Sequence, residues 1–227
     1  MPTTPFIGMP GVKSLRSATP RRIFLTDEGR VYLPSIQSID GTLSRDPGNT
    51  GDLPVLRPGL LMGKVTSSGK YAPAILGVTT NAEAIGSTSI EASAAVVTEL
   101  VRRVGSSGTF TLRGPASANG VIDSQTVTYS AASGTAITCT ALTKAFIAGS
   151  FIQPTDGSDT PKTFIPDGHG IKCTDEDEAS VDREFGPLPV KGIIDSSQLL
   201  PVWPSDTALQ NWIKSFFVGQ FVFDDEY

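Results

Sequence analysis

The chain has 227 residues, of which 39% are hydrophobic and 18% charged, so it can bury a core and is not expected to be wholly disordered. Its formal net charge of -5 argues against nucleic acid as the main partner, because phosphate binding requires clustered cations. No stretch reaches the roughly 18 apolar residues of a membrane span, and residues 1–11 lack a signal-peptide pattern. We therefore expect no membrane partner, synthesis in a cytosol, and one large domain or two small ones.

Residues 1–20 are predicted to form an extended N-terminal arm. This segment contains four prolines and two glycines, and its apolar residues follow neither a helical nor a strand period. Residues 1–22 include Lys13, Arg16, Arg21 and Arg22 and no acid, so the rest of the chain carries -9. Charge alone leaves two interpretations open, an arm steered towards an acidic protein surface or a solvated terminus.

Short apolar runs separated by glycine and proline predict a mainly β fold with two short helices. Residues 22–25 and 30–33 flank Asp27–Gly29 and are predicted to pair as a hairpin. A second hairpin is predicted for residues 60–65 and 71–78, which bracket the turn at residues 67–70.

The first helix is predicted at residues 93–105, where an apolar stripe recurs at helical spacing. Thr88 and Glu91 would form a capping box for an earlier start, and Gly105 would end the helix. The residues of the stripe are Val97, Leu100, Val101 and Val104.

Residues 105–185 have a β-rich composition of their own and are predicted to form an inserted or second subdomain. Residues 21–104 and 186–227 would make up the main β domain. Its second helix is predicted to start at a Ser205 cap and to end at Gly219, before a final strand at residues 221–223. Four residues would form the buried face of this helix: Leu209, Trp212, Ile213 and Phe216.

The two cysteines, Cys139 and Cys173, lie 34 positions apart in strand-like segments. This spacing fits neither a zinc knuckle nor a redox pair, so two unpaired, buried thiols are the primary prediction. A disulfide between them is the alternative.

Four features resemble chemical motifs and depart from each. Residues 59–65 lack the glycine spacing and hydroxyl of a phosphate loop, and the sole histidine, His169, has no nucleophile elbow to serve. The acidic run at residues 175–178 is followed by Ala179 and Ser180, where a calcium loop needs an acceptor and a glycine. The carboxylates of Asp156 and Asp159 cannot be assigned a catalytic role without geometry. We therefore predict no enzyme activity and no catalytic, cofactor or metal site.

Residues 56–78, LRPGLLMGKVTSSGKYAPAILGV, resemble the core of the head decoration (capsid cement) proteins of tailed bacteriophages. The family pattern is an apolar strand that runs into a "G-K-(V/I)-T-x-S-G-K" hairpin and a further apolar strand. A weaker similarity covers residues 199–204, which lead into the last helix. Residues 105–185 have no counterpart in the short members of the family.

The resemblance implies a β-barrel or β-tulip-like fold, assembled as a homotrimer on the virion. It also implies that the major capsid protein is the partner and that residues 1–20 contact the shell. Three alternatives stay open: a phage tail or baseplate module, a carbohydrate-binding β-module, and a hydrolase with a dispersed site. The carbohydrate-binding module would require exposed aromatic residues, whereas Trp203 and Trp212 are predicted to be structural.

Overall fold

Among the residues that the structure describes, strands account for 38% and helices for 12%, which confirms the predicted mainly β class with two helices. A computed structural model describes residues 21–27, 29–33, 36–168, 170–199, 201 and 203–224. The predicted arm at residues 1–20 and the predicted turn histidine, His169, lie outside these ranges.

The strands and helices follow one another in this order. Before the first helix come β1 (Val31–Leu33), β2 (Gln37–Ile39), β3 (Val55–Leu56), β4 (Leu61–Lys64), β5 (Tyr71–Pro73), β6 (Gly77–Val78) and β7 (Ser89–Glu91). Helix α1 (Ala94–Val104) is followed by β8 (Gly108–Pro115), β9 (Ile122–Ser133), β10 (Ala136–Cys139), β11 (Phe151–Gln153), β12 (Pro161–Phe164), β13 (Ile171–Lys172), β14 (Arg183–Phe185) and β15 (Leu188–Ile194). A 3-10 turn at Ser196–Gln198, helix α2 (Thr207–Ser215) and β16 (Phe221–Phe223) complete the order.

The described strands form four sheets, and the fold includes a sheet curled into a half-barrel. A six-stranded antiparallel sheet has the order β6-β11-β8-β9-β10-β7 and carries α1 on its apolar side. A five-stranded sheet has the order β12-β4-β5-β2-β14. The smaller sheets are β1-β15-β16 and β13-β3.

The hairpin predicted around residues 67–70 is confirmed. Strands β4 and β5 pair antiparallel, with Met62 opposite Pro73 and Lys64 opposite Tyr71. The second strand ends at Pro73, and the chain re-enters a sheet at β6, which belongs to the six-stranded sheet. The predicted strand at residues 71–78 is therefore divided after Pro73, where the chain crosses between the two large sheets.

The hairpin predicted around Asp27–Gly29 is wrong. Both of its segments pair with β15 instead of with each other: Phe24 bridges Ile194, and Val31 lies opposite Lys191. The two segments form one antiparallel strand interrupted at residues 26–30. Arg30 closes the interruption by bonding to the Thr26 carbonyl (2.7 Å) and pairing with Asp27 (2.8 Å).

Strands from residues 105–185 pair with strands from residues 21–104 in both large sheets. Strand β11 joins β6 to β8, β10 pairs with β7, and β12 pairs with β4. The boundary predicted at residue 105 is therefore not a boundary between sheets.

Helix α1 occupies the predicted position but has a different cap. Ser93 accepts a hydrogen bond from the Val96 amide, while Thr88 is exposed and residues 89–91 form strand β7, so the predicted capping box is wrong. Gly105 ends the helix as predicted, with φ of 122° and its amide bonded to the Val101 carbonyl.

Helix α2 begins one residue later and ends earlier than predicted. Asp206, not Ser205, is its N-cap and accepts from the amides of Ala208 (2.9 Å) and Leu209 (3.2 Å). The helix ends at Ser215, and the chain then turns through Gly219 (φ 76°) into β16. This turn brings the helix and the strand into one aromatic cluster with residues of the other sheets: Phe24, Phe151, Phe164, Phe217, Phe221 and Phe223.

The cap difference gives a direct test. Asp206→Ala should lower the free energy of unfolding by about 1–2 kcal/mol, the upper range for losing an N-cap, because Asp206 also accepts from the Asn119 amide (2.6 Å). Ser205→Ala, at the exposed neighbouring position, should change stability by less than about 0.5 kcal/mol. Urea denaturation of both variants measures the two values. Equal losses would restore Ser205 as the cap.

Candidate interaction surfaces

The glycine-flanked stretch at residues 59–65 contains strand β4, and its glycine spacing indicates that it is not a phosphate loop. Strand β4 passes so close to the loop after β11 that a Cβ at Gly63 would lie 1.8 Å from the Ser158 carbonyl oxygen. Glycine is therefore required here for packing between two chain segments.

The tip of the β4–β5 hairpin projects into solvent and is fixed at its base. The Val65 amide bonds to the Lys70 carbonyl (2.8 Å), and Gly69 adopts φ of 68°, which favours glycine. Lys70 pairs with Asp182, and this hydrogen bond raises the pKa of the Lys70 ammonium and lowers that of the Asp182 carboxyl. The hairpin thus presents an exposed tip, residues 66–69, on an ordered base.

The acidic run at residues 175–178 is an exposed turn closed by a bridge between Thr174 and Ser180. One carboxylate oxygen of Asp175 accepts from the amides of Asp177 (3.0 Å) and Ala179 (2.9 Å), so this side chain shapes the turn. Within the described part of the chain, no three His, Cys, Asp or Glu side chains lie close enough together to hold a metal ion.

Asp156 and Asp159 line one open groove of about 580 Å³, together with threonine and serine residues. The Asp156 carboxylate is engaged by Arg103 (2.8 Å) and by Ser158 (2.7 Å). Burial alone would raise the pKa of this carboxyl, but the Arg103 guanidinium and the Ser158 hydrogen bonds outweigh burial and hold the pKa below its usual range. Asp156 is therefore a structural anion, which leaves no free carboxylate pair in the groove.

Cys139 and Cys173 are both free and buried, which confirms the primary prediction. Burial raises the pKa of the Cys139 thiol and raises that of Cys173 to about 12. Both side chains are therefore protonated and shielded at neutral pH.

We expect a thiol reagent at pH 8 to react slowly with the folded protein, because the thiolate is the reactive form. After unfolding, the reagent should modify two thiols per chain. Reductant should leave the melting temperature unchanged. A drop of several degrees on reduction would instead indicate a disulfide.

Trp212 is half-buried and so is Phe216, which lies just after the helix, whereas a fully buried face was predicted. Leu209 and Ile213 are buried as predicted, but the Trp212 ring packs beside Phe151 (5.5 Å between ring centroids) with the Arg113 guanidinium 4.9 Å from its centroid. Its exposed part borders a shallow depression of about 440 Å³, which is also lined by Asn119, Gly120, Ile122, Thr207, Ala208 and Asn211.

The three-stranded sheet has an apolar outer face, which sequence reasoning missed. Ile193 lies opposite Val222, Val31 lies opposite Lys191, and Leu25 lies alongside Ile193. The signal was present in the sequence. A strand with one face in water normally alternates apolar and polar residues, whereas Ile193-Ile194 and Phe221-Val222-Phe223 place apolar residues on both faces.

No family model matches the chain, and neither a curated protein nor a solved structure is found to be similar to it. Neither of the two described helices is long and apolar enough to cross a membrane.

Proposed function

We propose that this protein is a structural virion protein, which binds the outer surface of a phage capsid and stabilises the head lattice. It would act as a non-enzymatic decoration protein on the virion. Its partners would be the major capsid protein and further copies of itself, in a homotrimer.

The observation that carries this proposal is the segment at residues 56–78. Within this segment, residues 61–73 form a hairpin of strand β4, an exposed tip and strand β5. Its two distinctive glycines have physical roles, close packing at Gly63 and a left-handed turn at Gly69.

Lattice stabilisation is a task that this chain's chemistry suits. It needs no catalysis, and in the carboxylate pair considered above Asp156 is engaged in an ion pair with Arg103. A weak contact repeated at many lattice sites gains strength through effective concentration. A basic arm that orders on binding would extend the contact beyond the β body, towards an acidic shell surface.

Deleting residues 1–20 tests the role of the arm. The truncated protein should keep its fold, because the described cores form from residues after Arg21. It should co-sediment less with shells assembled from the major capsid protein encoded in the same genome. Thermal melts and pelleting of both proteins provide the two measurements. Unchanged occupancy would refute the arm's role, and failure of the full chain to pellet would refute decoration.

A second candidate function, a carbohydrate-binding β-module, is favoured by the depression beside Trp212. A half-exposed tryptophan next to the amide side chains of Asn119 and Asn211 suits a sugar ligand. The ring can stack on the sugar, and the amides can form hydrogen bonds with its hydroxyl groups. Glycan arrays would support this function if binding was lost in Asn211→Ala while the fold was retained. Absence of glycan binding would remove it.

A further inference from the structure

The outer face of the three-stranded sheet is apolar and exposed. We define it by four residues: Leu25 (49% exposed), Val31 (47%), Val222 (40%) and the half-buried Ile193. Lys191 is the charged residue at its margin, and a shallow depression of about 330 Å³ runs over Ile193 and Val222. The opposite face of the same strands is already used, because Gly192, Ile194, Phe221 and Phe223 are buried in the core.

An apolar outer face on a short sheet is unusual for a protein surface. Strands with one face in the core normally alternate, with polar residues towards water. Here each of the three strands presents a branched aliphatic residue outward. Contiguous exposed apolar residues mark a surface that is covered by another segment or partner. No segment among the described ranges lies over this face.

The path of the chain indicates which segment covers it. Residues 21–25 run along β15: the Asp195 amide donates to the Ile23 carbonyl (2.9 Å), and the Leu25 amide donates to the Ile193 carbonyl (3.0 Å). The point where residues 1–20 join the body is therefore at the edge of this sheet. Only strand β15 separates this edge from β16, which carries Val222. Twenty extended residues reach about 66 Å, whereas three strands span only about 10 Å.

The composition of residues 1–20 fits the face. The sequence of this segment contains six sizeable apolar side chains: Met1, Phe6, Ile7, Met9, Val12 and Leu15. Its charged side chains are Lys13 and Arg16. Asp195 and Asp224 lie at the sheet end where residue 21 enters, together with the cations Arg21 and Arg22.

We propose that residues 1–20 dock on the outer face of the β1-β15-β16 sheet of their own chain in the free protein. The apolar residues of the segment cover Val31, Ile193 and Val222. The covalent tether favours this arrangement, since it holds the segment at a high effective concentration. The inference concerns the unassembled protein and does not depend on capsid binding. If a capsid also binds the arm, the shell competes with this face.

Site-directed photocrosslinking tests the docking. Val222→Cys supplies one accessible thiol for a benzophenone maleimide, because the native cysteines are buried. Ile85→Cys is the matched control, an exposed aliphatic residue outside the sheet (69% exposed). Each labelled protein is mixed with an equal amount of its ¹⁵N-labelled form, irradiated, digested and analysed by mass spectrometry.

We expect crosslinks from position 222 to peptides of residues 1–20 in same-isotope pairs only, and none to these peptides from position 85. Mixed-isotope pairs would assign the face to a second copy and overturn the proposal. Absence of arm crosslinks from position 222, or equal yields from both positions, would also overturn it. As a readout without a label, the chain lacking residues 1–20 should bind severalfold more of a dye specific for apolar surface. Unchanged dye binding would contradict the docking.

Discussion

Replacing Asp46 with alanine is expected to lower the free energy of unfolding by about 3–5 kcal/mol, the range for breaking a buried ion pair. The Asp46 side chain is fully buried and binds the Arg57 guanidinium through two oxygens, at 2.6 and 2.9 Å. The same carboxylate accepts from the backbone amides of Gly48 (3.1 Å) and Arg57 (3.3 Å). Alanine would leave a cation and two amides without their partner, in the loop that leads into β3.

Asp27→Ala is the matched control for this variant. Asp27 also contacts two arginines, Arg22 and Arg30, but its side chain is 81% exposed. A solvated pair contributes at most about 1 kcal/mol, so this variant should be close to wild type. Urea denaturation compares the two, and similar losses would show that burial of Asp46 does not govern its contribution.

Arg103→Ala should cause a loss of similar size, about 3–5 kcal/mol. The Arg103 side chain is 1% exposed and joins three parts of the fold. From α1 it donates to the Pro73 carbonyl (2.8 Å) in β5, and to Asp156 (2.8 Å) and Ser158 (2.6 Å) after β11. Lys144→Ala, which removes the exposed pair with Asp123, should cost less than about 1 kcal/mol.

The same contact predicts an effect of pH. The pKa of the Asp156 carboxyl is lower in the folded protein than its ordinary value of 3.8. Its contribution to stability is therefore present above pH 3.8 and is lost as pH falls through the folded pKa. The stability difference between wild type and Asp156→Asn should shrink below about pH 4. A difference independent of pH would contradict the Arg103 pairing.

The sequence pattern predicted correctly those elements whose contacts lie between residues close in the chain. The β4–β5 hairpin needs only its turn residues and two flanking strands, and α1 needs only its stripe and Gly105. The caps were less predictable, because Ser205 and Asp206 are adjacent and both are good caps. Asp206 is used because Asn119, which is remote in sequence, donates to it.

Distant pairing explains the errors. The turn at Asp27–Gly29 resembles a hairpin, but β15, about 160 residues later, pairs with both of its flanks and their inner face is buried with Phe24. The half-burial of Trp212 follows from a contact with Phe151 of another sheet. The burial of Asp46 depends on how its loop folds over Arg57. None of these contacts has a short-range signal in the sequence.

Electron cryo-microscopy of capsid shells incubated with the full chain tests the central proposal most directly. We expect additional density at equivalent positions across the outer shell surface, each large enough for three copies of the β body. We also expect this density to be reduced for the chain that lacks residues 1–20. Shells without added density, or density confined to a tail or baseplate, would contradict assignment as a decoration protein.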